Sequence, residues 1–333
     1  MHSRSVARTH DPDDDSRRNE GTVIGGGIFA GPRDHDRWDQ AVADIRNNLA
    51  GHAVVPTATG CRVFWTIAGE VGWRDLDAAN GEFLVLGRHS QCDVRIDADP
   101  TVSLRHLLVT SWILDDGATV VRLLDLRTHV PLVVPGIPRP RPSIVGSGSV
   151  IASFGACIVG AVPVEAGVQL PGPDDPLWKM DRPVLREAIV PPTRRHEGER
   201  GGSVITMLPE VTHVSEIRAS PRGPGAGLLT LRSTTAEASV ELQQADLRRG
   251  VLIGRYERCM DQGLLAVLGT EISRVHLLLI DERDGVCAYD LCSSNGTWLD
   301  GHRIRDVRLG PGETRLVLGG GGGAEGVEMI WSE

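Results

Sequence analysis

Apolar and polar residues alternate in short runs along much of this chain. RVFWTI at 62–67, EFLVLG at 82–87, HLLVTSWIL at 106–114 and VVRLLDL at 120–126 form one group. LLTLRS at 228–233, ASVELQ at 238–243, VLIGR at 251–255 and VHLLLID at 275–281 form a second. Runs of strand length separated by Gly, Asp and Asn predict an all-β chain of the sandwich or barrel type. Within DLCSSNGTWLDG (290–301), Asn295-Gly296 and Asp300-Gly301 each predict a tight hairpin turn, since both dipeptides accept positive φ. Only Thr297, Trp298 and Leu299 lie between them, enough for a very short strand. GSGS at 146–149 falls among the closing strands of the first group and predicts a turn. Trp38, Val42, Ile45 and Leu49 follow helical spacing instead, with Asp36 as N-cap and Gly51 as a stop, predicting a short amphipathic helix over 38–51.

The two groups are copies of one pattern. VLGRHSQCDVRID, TVSLRHLLVT and VRLLDLRT (85–128) echo LIGRYERCM, EISRVHLLLI and CAYDLCSS (252–294). Gly87-Arg88 matches Gly254-Arg255, Ser103 and His106 match Ser273 and His276, and Asp125-Leu126 matches Asp290-Leu291. The offsets are 167, 170 and 165 residues, a spread that small loop changes account for. Two β domains are therefore expected, over 60–162 and 226–333. Residues 1–37, charged and glycine-rich, predict a disordered tail, and 163–225, rich in proline and charge, an inter-domain linker. GGGIFAG at 25–31 lacks the preceding strand that a dinucleotide-binding loop requires.

Charge narrows the partners. A net charge of -9 argues against nucleic acid, whose phosphate backbone demands a basic face. No apolar run reaches membrane-span length, and the first residues lack the apolar core of a secretory signal. Six scattered cysteines without CxxC pairs or clustered histidines predict free, mostly buried thiols, hence no metal and a cytoplasmic location. No GxSxG elbow, P-loop, HExxH or kinase signature is present, so no enzyme, catalytic residue or cofactor is expected.

The order Gly254-Arg255, Ser273-Arg274-Val275-His276, Asp290-Leu291, Ser294-Asn295-Gly296-Thr297 and Asp300-Gly301 resembles the forkhead-associated (FHA) domain family. The resemblance covers about 226–333, and the first copy about 60–162. It implies two β-sandwiches whose loops at one end bind phosphothreonine peptides. The chemistry fits: a phosphothreonine carries nearly two negative charges and three acceptor oxygens, which a guanidinium fork and hydroxyl or amide donors satisfy. By this resemblance Arg255 and Ser273 hold the phosphate, Arg274 adds charge, and Ser294 and Asn295 fix the ligand backbone. His276 braces the loops from inside, while Gly254 and Gly296 supply backbone freedom.

The first copy keeps Arg88 and Ser103 but places Leu104 where the second basic residue stands, with Arg105 next to it. Val130 and Pro131 replace Asn295 and Gly296, removing the side-chain amide and a backbone donor. Arg88, Ser103 and Arg105 then form at most a weak second site, and the copy reads as degenerate. The expected function is a signalling adaptor whose second domain binds a phosphothreonine protein made by a Ser/Thr kinase, the first domain docking a partner. The alternative is a phosphate-independent assembly subunit using both sandwiches as interfaces. Homo-oligomerisation, or capture of a phosphorylated tail or linker threonine (Thr9, Thr22, Thr193), are further partner modes.

Overall fold

The computed structural model describes residues 7–9, 34–51, 56, 58–67, 69–134, 140–167, 225–256, 259, 262–282, 285–320 and 326–333. GGGIFAG, Thr22, Thr193 and the expected linker beyond Gly167 up to Pro224 lie outside the described residues. The described elements group into two units, one of residues 34–167 and one of residues 225–333 joined by 7–9.

Elements are numbered along the chain: β1 is Ala7–Thr9 and α1 is Asp34–Gly51. The N-terminal unit continues with β2 (Gly60–Ile67), β3 (Glu70–Asp77), β4 (Phe83–Gly87), β5 (Val94–Arg95) and β6 (Leu107–Ile113). It closes with β7 (Thr119–Asp125), β8 (Ser143–Gly146), β9 (Val150–Phe154) and β10 (Cys157–Val164). One sheet has the order β3-β2-β10-β9 and the other β5-β4-β6-β7-β8. Their inner faces meet in a core that sets Val63, Leu76, Val159 and Ala161 against Leu84, Leu86, Leu107, Val109, Val121 and Leu123. This is a β-sandwich. GSGS lies between β8 and β9, as its glycines predict. β3 escaped the sequence reading because EVGWRDLD fully buries only Leu76 and carries three acidic residues. α1 lays Ile45, with Ala41 and Val42, on Phe64, Ile151, Ile158 and Val162, the outer face of the first sheet.

The C-terminal unit holds β11 (Gly225–Arg232), β12 (Glu237–Gln243), α2 (Gln244–Arg249), β13 (Val251–Ile253) and α3 (Gln262–Leu265). Then come β14 (Leu277–Glu282), β15 (Gly285–Asp290), β16 (Thr297–Leu299), β17 (His302–Leu309), β18 (Glu313–Leu318) and β19 (Val327–Ser332). Strand order runs β12-β11-β19-β18-β16-β17-β15-β14-β13, with β1 added at β17. Its core joins Leu229, Leu231, Leu316, Met329 and Trp331 to Ile253, Leu277, Leu279, Ala288 and Val307, so this sheet too folds into a sandwich.

β17 is the corner. Val286 pairs with Leu309 and Tyr289 with Asp306, then Thr297 pairs with Ile304 and Leu299 with His302. Both registers descend in step, which places β15 and β16 in sequence along the same edge of β17. Residues 290–296 therefore leave the ladder opposite a single residue, Arg305. The Asp300-Gly301 turn closes β16 onto β17 with φ 51° and 77°, as expected for a two-residue hairpin loop. Asn295-Gly296 differs from its prediction: only Gly296 has positive φ (79°), and the pair leads the excursion into β16 instead of closing a hairpin. A dipeptide preference gives the turn residue but not which strand it reconnects.

Candidate functional site

Three loops of the C-terminal unit meet where the sequence places the motif. Arg255 follows β13, Ser273 and Arg274 precede β14, and 291–296 is the excursion between β15 and β16. Arg255 N donates to Ser273 O at 3.1 Å and Tyr256 N to Arg274 O at 2.9 Å, zipping the first two loops together. Gly254 permits this approach: a Cβ there would stand 2.3 Å from the Arg274 carbonyl oxygen. Ser294 N donates to Ser273 Oγ at 3.0 Å and Asn295 Nδ2 to Glu271 O at 2.8 Å, joining the third loop to the second.

His276 sits beneath them, fully buried. Its Nδ1 accepts from Ser273 N at 3.2 Å, so Nε2 carries the ring proton and donates to Gly296 O at 3.2 Å. One imidazole thus ties the second loop to the third. Asp290 does the same within the third: Oδ1 accepts from Ser293 N at 2.7 Å, and Oδ2 from Ser293 Oγ at 2.5 Å and Thr297 Oγ1 at 2.7 Å. Cys292 takes φ 55° to make this turn. Arg303 Nη2 donates to Ser293 O at 3.1 Å and lies close under Gly296, supporting the excursion from β17.

Four of the motif side chains face solvent, and Ser273 is buried beneath them. Arg255, Arg274, Ser294 and Asn295 are exposed. Arg255 Nε donates to Ile272 O, which orients the guanidinium and leaves its two terminal amines as a fork without a partner among the described residues. Ser273 Oγ accepts one bond and retains its own proton for another acceptor. Two guanidinium groups and a hydroxyl carried on bonded neighbouring loops can bind a tetrahedral anion.

The N-terminal unit repeats much of this wiring. Arg88 N donates to Ser103 O at 3.0 Å, His89 N to Leu104 O at 2.9 Å, and Ser103 N to His106 Nδ1 at 3.1 Å. Arg88 Nε donates to Val102 O, and a Cβ on Gly87 would stand 2.4 Å from Leu104 O. Thr128 N donates to Asp125 Oδ1 at 2.7 Å after Arg127, whose φ is 59°. The departures lie at the rim. Arg105 is buried, and the third loop closes on itself: Thr128 Oγ1 donates to Val130 O at 2.7 Å and faces His106 Nε2 at 3.1 Å. Val130 packs against the core.

Burial pushes His106 down to about 4 from its ordinary 6.5. It pushes Asp125 up to about 6 from 3.8, against the bonds from Thr128 that favour its charged form. Below pH 6.5 the unfolded chain takes a proton on His106 that the folded one refuses until about 4, so folding loses on the order of 3 kcal/mol across that window. Asp125 works in the opposite sense: folded, it takes its proton near 6, and unfolded only near 3.8, returning a similar amount. NMR titration is expected to give midpoints near 4 for the His106 ring and near 6 for the Asp125 carboxyl. A ring midpoint at the ordinary value would mean that His106 is solvated.

Sequence reasoning missed Cys259, Asp290 as a hub, and Arg303. Cys259 Sγ donates to Arg274 O at 3.4 Å, and Cys92 Sγ to Leu104 O at 3.2 Å, the same contact in both units. The signal was present: each cysteine lies five residues after the glycine of its Gly-Arg pair. Arg303 left none, because its role depends on how β17 returns beneath the loop. All six cysteines are free thiols, five of them buried.

The FHA domain family model matches residues 251–319. The matched FHA segment runs from β13 through Gly319 and contains all three loops. No curated protein matches the chain. Similar solved structures include FHA-1 of Mycobacterium tuberculosis Rv1747, with 24% identity over 32% of this chain and 99% of that one, TM-score 0.25. The yeast Dun1 FHA domain in complex with a doubly phosphorylated peptide derived from Rad53 SCD1 is 17% identical over 36% and 84%, TM-score 0.28. Mycobacterium tuberculosis EmbR in complex with a low affinity phosphopeptide is 21% identical over 32% and 24%, TM-score 0.24. No helix among the described residues is long and apolar enough to cross a membrane.

Proposed function

We propose that the C-terminal FHA segment binds phosphothreonine in a partner protein and that the chain acts as a non-catalytic signalling adaptor. The observation carrying this reading is the Arg255 guanidinium, held by Ile272 O with its fork open, on a loop bonded to the one that bears Ser273 and Arg274. In this reading Arg255 and Ser273 take the phosphate oxygens, and Arg274 adds charge from the rim. Ser294 and Asn295 take the peptide backbone, Asn295 exchanging its bond to Glu271 O for the ligand. Two or three charge-assisted bonds, each worth about 1.5–3 kcal/mol, give micromolar affinity. Titration of a phosphothreonine peptide library should show binding, and the same peptides with unmodified threonine should show none. Equal binding of both forms would reject phosphate recognition.

The N-terminal unit is, in the same proposal, a degenerate copy that docks a partner without phosphate. Its shared hydrogen-bond wiring supports common origin. Thr128 closing on Val130, with Arg105 withdrawn into the unit, supports the loss of peptide binding.

A further inference from the structure

The outer edge of β17 is not left bare. Ala7 pairs with Val307 and Thr9 with Ile304, antiparallel, so residues 7–9 add a strand to the edge opposite β15 and β16. Two residues of β17, Arg305 and Asp306, face the single Arg8 in this ladder, a bulge where the register shifts. That bulge coincides with Arg305, the one residue opposite which the loop 290–296 leaves the other edge. The same two peptide units of β17 therefore fix the tail strand on one side and the root of the candidate site on the other. The tail is the occupant the structure itself shows, with Ala7–Thr9 seated on this edge. An open edge strand invites pairing with any extended chain, and a tethered segment reaches it at high effective concentration.

We propose that this edge is a strand-addition site, that its occupant is the N-terminal segment of the same chain, and that its occupancy holds the 290–296 loop in its peptide-binding shape. The last clause rests on the phosphopeptide reading of that loop; the strand itself does not. Ala7–Thr9 thereby acts as a regulatory strand, and whatever sequesters the tail weakens the site.

The test compares the full chain with a deletion of residues 2–20 and with Arg8→Pro, whose fixed φ and missing N–H break the added ladder. Hydrogen exchange is followed for peptides spanning 302–309 and 290–297, beside titration of a phosphothreonine peptide. Both variants should exchange about tenfold faster in 302–309 and measurably faster in 290–297, and should bind the peptide several-fold more weakly. Protection in the full chain should not depend on protein concentration. Unchanged exchange in 302–309 overturns the strand. Protection that rises with concentration overturns the same-chain occupant in favour of exchange between copies. Faster 302–309 with unchanged 290–297 and unchanged affinity overturns the coupling. If the full chain binds no phosphopeptide at all, the site reading fails, and exchange alone decides the strand and its hold on the loop.

Discussion

Arg255→Ala is expected to lower phosphothreonine-peptide affinity by about 2–5 kcal/mol, roughly 30-fold to several thousand-fold, with the fold intact. Its head group is exposed, so removing it opens no cavity; the structure loses only the Nε bond to Ile272 O. The loop itself stays zipped through backbone atoms, Arg255 N to Ser273 O and Tyr256 N to Arg274 O, which alanine leaves in place. The loss should therefore appear in binding and not in thermal stability. Isothermal titration paired with a melting curve separates the two. Retention of wild-type affinity would move the phosphate away from this fork, and a large drop in melting point would show that the side chain serves the fold.

Trp331→Ala should do the reverse. Trp331 lies in β19, 0% exposed, pairs with Leu229 and Thr314, and stacks its ring where a Cβ on Gly227 would come within 2.4 Å. Gly227 is small because the indole crosses it. Truncation leaves a cavity between the layers and should cost about 3–5 kcal/mol, a large fraction of the 5–15 kcal/mol typical of a domain. Denaturant unfolding followed by circular dichroism should show a lower midpoint with little change in slope. A shift below about 0.5 kcal/mol falls outside that range and would overturn the place of Trp331 in the core.

Much of the fold was legible because strand-length apolar runs stand out between polar turns. Residues 62–67, 83–87, 107–113 and 277–281 carry such runs and are strands. What stayed hidden were strands without one. β17, HRIRDVRL, reads as a charged stretch, although its Ile304, Val307 and Leu309 are buried. Of the site, the motif residues were legible by their order, and the structure brings their loops together. Asp290 and Arg303 act on backbone atoms of the excursion, contacts that no spacing rule encodes. In the N-terminal unit, the burial of Arg105, expected as part of a weak second site, needed three dimensions.

The seven residues from 290 to 296 stand across from one, so the hairpin that carries them closes without counting them. Length changes between Leu291 and Gly296 leave the registers of β15 and β16 on β17 as they were. The frame is thus insulated from the length of this loop, and Ser293 and Gly296, bonded to Asp290, Arg303 and His276, are the positions within it that a grafted sequence must keep.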